Sequence, residues 1–473
     1  MTKMIAVYLV LLGLVLPLIM LYQSWRRQHE LLCLRNFALL GFMIFQLFSG
    51  VMPLWLEWNN RYRLQDWESA GIQYAAMATV FLIVLFIAYE LGFGAKALAR
   101  VVPAVSTVPN LPTILILAVA FTACGVFLKL FSVAVPIPVV SPTASKVAAA
   151  FAAIACGLAA WAWAPRLLNV GYASFASVIV VVNLASVMDG AFGRRNLVAL
   201  GACFLWGMYY SHWRHLPLRA MFVRLAVMSI PPLILLAAFT SIRASQQRLD
   251  LQQYATMLRA DSDIRSGVTD LMAGQNTAPG SMWLIENYPE RYEYRHLMTI
   301  RYFFSLPVPR MIWRDKPMPL STQIATQARI KGVSWDVLKI GPGIIGHAAA
   351  EGGWYALIVY GIIGGFFLRF FDQIVRLHPM SPFVVLPVGS ALGQIVGITR
   401  GETSAFAMNY VVGVVGAYAA MVLLGKFLAM LGWAREEEPL GYEVPVSEYS
   451  DYGAGDANEI ADASGGVPSP ASS

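Results

Sequence analysis

The sequence predicts an all-α protein that crosses a membrane about eleven times. Only 13% of its 473 residues are charged, 58% are hydrophobic, and the mean hydropathy is +0.60. This composition is typical of polytopic membrane proteins and argues against a water-soluble domain. Many apolar runs also approach the roughly 20 residues that a helix needs to cross about 30 Å of hydrocarbon.

Apolar windows give the expected positions of the helices. The eleven windows are residues 4–22, 37–56, 71–91, 112–133, 147–164, 169–188, 196–211, 221–241, 344–368, 381–398 and 405–431. They divide the chain into N-terminal transmembrane helices (1–241), a large loop (242–343), C-terminal transmembrane helices (344–434) and a tail (435–473).

The basic residues indicate both the orientation and the surroundings of the chain. Residues 1–434 contain 33 basic and 18 acidic side chains, which suits anionic lipids and anionic lipid-linked ligands. One set of short loops, which includes Arg35 and Arg369, holds thirteen basic residues against seven on the other side. The positive-inside rule therefore places that set in the cytoplasm and the large loop outside. The acidic tail is expected to be cytoplasmic and disordered.

Several function classes leave no trace in the sequence. The four cysteines, Cys33, Cys124, Cys156 and Cys203, lie in or beside apolar runs, so neither a disulfide framework nor a zinc site is expected. A Walker lysine loop, a dinucleotide-binding glycine motif and an HExxH motif are all missing from the sequence. We therefore expect no cofactor, no metal and no nucleic-acid partner.

The large loop contains a proline-rich cationic stretch, FSLPVPRMIWRDKPMPLS, at residues 304–321. For any single arginine there, contact with lipid headgroups is the simpler interpretation. Arg310, Arg314 and Lys316 together favour a pyrophosphate site, because the prolines fix the backbone and arginine binds phosphate oxygens bidentately. The preceding RYEYRHLMTIRYFF, which contains Arg301, is predicted to be one helix over residues 291–304.

Two further charged groups stand next to membrane helices. After the break at residues 341–343, His347 and Glu351 follow four residues apart and share a helix face. A buried carboxylate is costly and is a functional candidate, although a structural His–Glu pair would explain it too. Two ligands are too few for a metal. Arg400 and Glu402, in TRGETSAFAMNY, could pair with each other or face a cavity.

The motifs in residues 283–405 resemble those of bacterial oligosaccharide repeat-unit polymerases of the Wzy type, including enterobacterial common antigen polymerase. Pro309-Arg310, Trp313 and Lys316-Pro317 match the spacing PR-x-x-W-x-x-KP. The resemblance implies a GT-C-like fold in the bacterial inner membrane, with an active site that faces the periplasm. It also implies metal-independent, inverting polymerisation of repeat units carried on undecaprenyl pyrophosphate, with a flippase and a chain-length regulator as possible partners.

The same resemblance implies roles for individual residues. Without a metal, preorganised cations must stabilise the departing pyrophosphate, and the candidates are Arg310, Arg314, Lys316, Arg400 and Arg301. The attacking sugar hydroxyl needs a general base, for which Glu351 and then His347 are the candidates.

Other functions stay open at this point. An O-antigen ligase would also use loop arginines and a histidine such as His347. A lipid-linked oligosaccharide flippase or another transporter would be expected to carry charges within its spans. A protein mannosyltransferase-like enzyme would use paired acids in an early external loop, for which Glu57, Asp66 and Glu68 are the candidates.

Overall fold

A computed structural model describes most of the chain. The described residues are 1–57, 62–92, 94–105, 107–135, 137, 140–187, 193–244, 277–328 and 341–436. The predicted disorder of the tail concerns residues that lie almost entirely outside these ranges. Within them the protein is built from helices, as predicted, with one short antiparallel ladder that joins Thr107–Pro109 to Ala434–Glu436.

The helices follow the predicted apolar windows closely. In the first part of the chain they are Thr2–Trp25, Leu34–Phe42, the π-helix Met43–Phe48, Ser49–Leu56, Trp67–Leu91, Ala95–Val101, Leu111–Ala134, Val140–Trp163, Val170–Val187, Gly193–Ser211 and Leu218–Ala244. In the large loop they are Thr277–Asn287, Met298–Ser305 and Leu320–Gln327. After the loop they are Gly343–Glu351, Trp354–Leu377, Pro382–Gly389, Leu392–Ile398 and Thr403–Met430. Two 3-10 turns, Ala164–Arg166 and Trp213–His215, complete the set.

Nine helical stretches among the described residues are long and apolar enough to cross a membrane, so the protein is a multi-pass membrane protein. Two predicted spans are not among them. The window 196–211 lies in Gly193–Ser211, and the window 381–398 is divided between Pro382–Gly389 and Leu392–Ile398. The number eleven therefore stays a prediction.

Two local helix predictions were wrong. The window 344–368 is not one helix, because Gly352 and Gly353 adopt φ values of 156° and 60° and end the helix Gly343–Glu351. The segment 291–304 is helical only from Met298 onwards, after left-handed backbone at His296 and Leu297. Hydropathy and amphipathic spacing do not report such backbone breaks, which glycine permits and other residues adopt only when neighbours impose them.

The assignment of Arg35 and Arg369 to short loops was also wrong. Arg35 is the second residue of Leu34–Phe42 and Arg369 lies inside Trp354–Leu377. Their side chains are only 1% and 5% exposed. The hydropathy windows stop at these charges, but the helices continue through them because the protein interior supplies carboxylate and aromatic neighbours.

The helix Val140–Trp163 lies at the centre of the N-terminal bundle. Its alanine-rich second half is buried, and it packs against Leu111–Ala134 and Gly193–Ser211. Small side chains let helix backbones approach closely, which is how membrane helices gain van der Waals contact where no water drives them together.

The π-helix Met43–Phe48 contacts the turn at residues 399–400, which follows the helix Leu392–Ile398. Gln46 is fully buried, and its side-chain amide donates to the carbonyl oxygen of Thr399. The ring of Phe45 lies 5.2 Å from the guanidinium carbon of Arg400. Short π-helical turns of this kind are frequent at functional sites.

Two glycine-containing turns touch each other beside this π-helix. A Cβ atom on Gly341 would overlap the Cα of Gly401. Gly343 has a φ of 65°, and a Cβ atom there would overlap both the Thr399 carbonyl oxygen and the Gln46 amide nitrogen. The turn that begins the helix Gly343–Glu351 is therefore fixed by backbone contact with residues 399–401.

Gly343→Ala should destabilise the protein more than Gly94→Ala does. Gly94 also has a positive φ, 81°, but nothing lies within 4 Å of the place that a Cβ atom would take. Gly94→Ala should therefore cost only about 1–2 kcal/mol of backbone strain, whereas Gly343→Ala adds steric overlap with two buried groups. Thermal unfolding of both variants in one detergent checks this, and equal midpoints would contradict the packing described here.

Candidate functional site

Five side chains form a buried polar cluster where the large loop meets the membrane helices. We call it the carboxylate–histidine cluster; its members are His347, Glu351, Glu402, Thr299 and Tyr360. The prediction that His347 and Glu351 share a helix face is confirmed, since the imidazole Nδ1 lies 3.1 Å from the Glu351 Oε1. Both residues are buried, with 0% and 1% of their surface exposed.

Glu351 holds the loop helix Met298–Ser305 in place. Its two carboxylate oxygens accept hydrogen bonds from the Thr299 backbone N–H and the Thr299 hydroxyl, each at 2.7 Å, and Tyr360 donates a third. Thr299 belongs to the first turn of its helix, so a negative charge satisfies an otherwise unpaired N–H at the positive end of the helix dipole. The structural role considered for Glu351 is therefore real, and its carboxylate is saturated.

Glu402 plays the same part for a second loop helix. Its Oε2 accepts a hydrogen bond of 3.0 Å from the backbone N–H of Ser321, in the first turn of Leu320–Gln327. Its Oε1 lies 3.3 Å from the Ser404 hydroxyl. The side chain of Glu402 is 11% exposed, so this carboxylate is nearer to the surface than Glu351. The sequence marked it only as an acid between two membrane helices.

His347 lies between the two carboxylates. Its Nδ1 faces Glu351 and the Thr299 hydroxyl, and its Nε2 lies 3.6 Å from the Glu402 Oε1, an ion-pair distance longer than a hydrogen bond. Burial disfavours the charged imidazolium, but Glu402 and Glu351 outweigh it and raise the pKa of His347. Burial alone would raise the pKa of Glu351, but His347, Thr299 and Tyr360 lower it. Each of the two groups thus stabilises the charged form of the other.

The stretch at residues 304–321, which we call the cationic segment, is ordered by its own charged side chains. The Lys316 ammonium donates to the carbonyl oxygens of Leu306 and Val308 at 3.1 and 3.0 Å. The Arg310 guanidinium donates to the Lys316 carbonyl oxygen at 3.3 Å. Partial burial and the nearby Arg310 lower the pKa of Lys316. These bonds close a compact turn and hold two cations side by side.

The cationic segment also exposes large apolar side chains. Met311 and Ile312 are 80% and 77% exposed, and Phe304, Trp313 and Met318 are exposed as well. In water such a patch would be unfavourable, whereas a membrane interface or a lipid chain accommodates apolar and cationic groups together.

Some of the predicted cations approach the cluster and others do not. Tyr302 connects the two regions: the Lys316 ammonium lies 6.0 Å from its ring, and burial and Glu402 raise its pKa while Arg310 opposes them. Arg400 lies over the ring of Phe45. Arg301 and Arg314 are exposed, and within the described ranges neither makes a hydrogen bond or ion pair with a cluster residue.

Arg295 is a site residue that the sequence did not single out. Its Nη2 donates to the Met318 carbonyl oxygen at 3.1 Å, and its Nη1 is buried without a hydrogen-bond partner among the described residues. Its charge acts against protonation of His347, so it lies near the cluster. Its backbone N–H also bonds to the Ala350 carbonyl oxygen at 3.0 Å.

The acids Glu57 and Asp66, before the helix Trp67–Leu91, have structural contacts instead. Asp66 caps the helix Trp67–Leu91 by accepting from the N–H groups of Glu68 and Ser69 at 3.0 and 2.9 Å. Glu57 accepts from the Thr2 hydroxyl at 2.6 Å. Across the described part of the chain, no group of three or more His, Cys, Asp or Glu side chains could hold a metal ion.

Tyr360→Phe should lower the thermal unfolding midpoint, because the buried Glu351 loses a hydrogen-bond donor. A lost hydrogen bond to a buried charged group costs about 1.5–3 kcal/mol, which corresponds to a shift of about 1.5–3 °C for a chain of this length. Tyr355→Phe, on the same helix but 63% exposed, is the matched control and should not shift the midpoint. Equal midpoints for both variants would show that the Tyr360 hydroxyl does not support Glu351.

No family model matches this sequence, and the searches of curated proteins and of solved structures found no match either. The resemblance to repeat-unit polymerases thus rests on the motifs within residues 283–405.

Proposed function

We propose that this protein is a polymerase that joins oligosaccharide repeat units carried on undecaprenyl pyrophosphate into a long surface polysaccharide. The reaction would be an inverting, metal-independent glycosyl transfer at the periplasmic face of the bacterial inner membrane, on a GT-C-like scaffold. The observation that carries the proposal is the carboxylate–histidine cluster, buried beside a loop segment that presents cations and apolar side chains together.

The chemistry of the cationic segment matches a lipid-linked pyrophosphate. Such a substrate joins a strongly anionic group to a long apolar chain, and binding it needs both kinds of surface within a few residues of each other. Arg310 and Lys316 provide the cations, and Met311, Ile312 and Trp313 provide exposed apolar area between them. A site for a free nucleotide sugar would have no use for this apolar area.

The cluster supplies the acid–base chemistry. A hydroxyl oxygen of the acceptor repeat attacks the anomeric carbon of the donor, the bond to the pyrophosphate oxygen breaks, and the hydroxyl proton passes to a base. We assign Glu402 as that base, because its side chain reaches the surface. The carboxylate of Glu351 is buried and already accepts three hydrogen bonds, from the Thr299 N–H, the Thr299 hydroxyl and Tyr360. His347, between the two carboxylates, stabilises the ionised form of Glu402 until the proton arrives.

The cations stabilise the charge that develops on the leaving pyrophosphate. Arg310 and Lys316 both act on Tyr302, whose hydroxyl also feels the charge of Glu402. Arg295 has one buried N–H group without a hydrogen-bond partner among the described residues. Arg400, which lies over the ring of Phe45 and just before Glu402 in the sequence, would add further positive charge. Arg314 and Arg301, which lie on the exposed side, would attract the donor rather than contact the reacting atoms.

A ligase reaction is the second candidate, because the cluster contains a histidine, His347, next to the large loop. A ligase would use the same donor, but the acceptor would be the core sugar of a lipid anchor instead of another repeat. The two functions differ in the product, so one assay separates them. A flippase that delivers the repeats and a chain-length regulator are the partners that the polymerase function implies.

Glu402→Gln should abolish polymer formation, because removal of a general base costs about a hundredfold or more in rate. The assay supplies purified protein in liposomes with lipid-linked repeats and resolves the products by length. Glu290→Gln, an exposed loop acid, is the matched control and should make wild-type polymer.

Three outcomes of that assay would be decisive. Long chains from Glu402→Gln would exclude Glu402 as the base, and loss of activity in Glu351→Gln alone would return that role to Glu351. Transfer of one repeat to an added lipid A core acceptor, without elongation, would assign the ligase function instead.

Arg310→Gln should raise the donor concentration needed for half-maximal rate, with a loss of about ten- to a hundredfold in kcat/KM. Loss of a charge-assisted bond to the pyrophosphate is the physical reason. Arg291→Gln, another arginine exposed in the large loop, is the control and should leave kcat/KM unchanged. An equal loss in both variants would indicate general attraction of anions rather than a defined contact.

A further inference from the structure

A second group of cations lies far from the proposed active site along the helix Trp354–Leu377. Arg369 is fifteen residues from the N-terminus of that helix, which corresponds to about 22 Å. Its side chain is 5% exposed, yet its Nε has no hydrogen-bond partner in the described residues. The described contact of its guanidinium is the ring of Tyr89, at 5.1 Å. A buried charge is normally paired, so this arginine calls for an anionic partner.

The nearby carboxylates hydrogen-bond to other groups. Asp372 accepts from the backbone N–H groups of Leu34 and Arg35, at 2.7 and 3.2 Å, and from the Tyr89 hydroxyl at 2.8 Å. Glu90 contacts the Arg35 guanidinium at 3.2 Å and the His29 imidazole at 2.8 Å. Arg369 therefore feels the charge of Glu90 without a hydrogen bond to it.

Further cations surround Arg369. A Cβ atom placed on Gly92 would contact Lys96 at 3.3 Å and the Arg369 side chain at 3.7 Å, so both side chains lie against the same glycine. Partial burial and the charges of Arg369 and Arg376 lower the pKa of Lys96. Lys96 and Arg376 are exposed, whereas Arg369 is buried beneath them. The three residues form what we call the Arg369 cluster.

We propose that the Arg369 cluster binds the phosphate group of an anionic phospholipid. The cluster lies where the membrane helices Trp67–Leu91 and Trp354–Leu377 approach their ends, which is the depth of lipid headgroups. Arginine offers a fork of N–H donors that fits phosphate oxygens, and two exposed cations add attraction from outside. The neighbouring spans leave apolar side chains such as Ile87 and Leu91 exposed to the acyl chains.

Native mass spectrometry of the full-length protein in detergent tests this assignment. Phosphatidylglycerol should be retained at least about tenfold more tightly than phosphatidylcholine, and Lys96→Gln and Arg376→Gln should each weaken its retention several-fold. Lys426→Gln, an exposed lysine on Thr403–Met430, is the matched control and should bind like wild type. Arg369→Gln should abolish the preference, and the two exposed variants carry the test if that protein does not fold.

Two results would overturn the proposal. Equal retention of the two lipids by the wild type, or equal binding by Lys96→Gln, Arg376→Gln and Lys426→Gln, would show that the cluster is not a lipid site. If inorganic phosphate at millimolar concentration displaces phosphatidylglycerol from the wild type but not from the variants, the phosphate site is real. In that case, thermal stabilisation by inorganic phosphate equal to that by the lipid would assign the site to free phosphate.

Discussion

The large loop depends on two carboxylates, the buried Glu351 and the partly buried Glu402, that hold two of its helices by their N-termini. Glu351 accepts the N–H of Thr299 and Glu402 accepts the N–H of Ser321, so the cationic segment between these helices is attached to the membrane core at both ends. Each carboxylate meets the positive end of a short helix, and His347 separates the two negative charges. Because a buried charge without partners is costly, this arrangement holds only while loop and core remain packed together.

The N-terminal bundle supports the same arrangement from behind. The π-helix Met43–Phe48 places Gln46 against the Thr399 carbonyl oxygen and Phe45 against Arg400. Because Gly343 has no side chain, its turn packs directly against the Gln46 amide and the Thr399 carbonyl oxygen. The short helix that carries His347 and Glu351 is thus oriented by contacts with parts of the chain almost 300 residues earlier. Its position is a property of the whole membrane body and not of the local sequence.

The sequence predicted what is local and missed what is distant. Apolar windows located most helices, and four-residue spacing correctly paired His347 with Glu351, because both signals depend on residues within one helix. The place of Glu402 beside His347 could not be predicted, since 55 residues and three complete helices separate them. The burial of Arg369 was missed for a related reason. A hydropathy window ends a predicted helix at a charged residue, and the sequence does not show that the ring of Tyr89, 280 residues earlier, covers this charge. The eleven spans and the orientation stay predictions.

The closed packing of His347 has a consequence for an enzyme of the proposed kind. Donors that carry a good leaving group are exposed to hydrolysis whenever a base and water meet at the anomeric carbon. Here the loop helix Met298–Ser305 covers the imidazole, which is fully buried while Thr299 stays bonded to Glu351. The imidazole and Glu351 would then stay out of reach of water, and Glu402, the less buried carboxylate, would be the one group of the cluster at which an acceptor sugar and water compete.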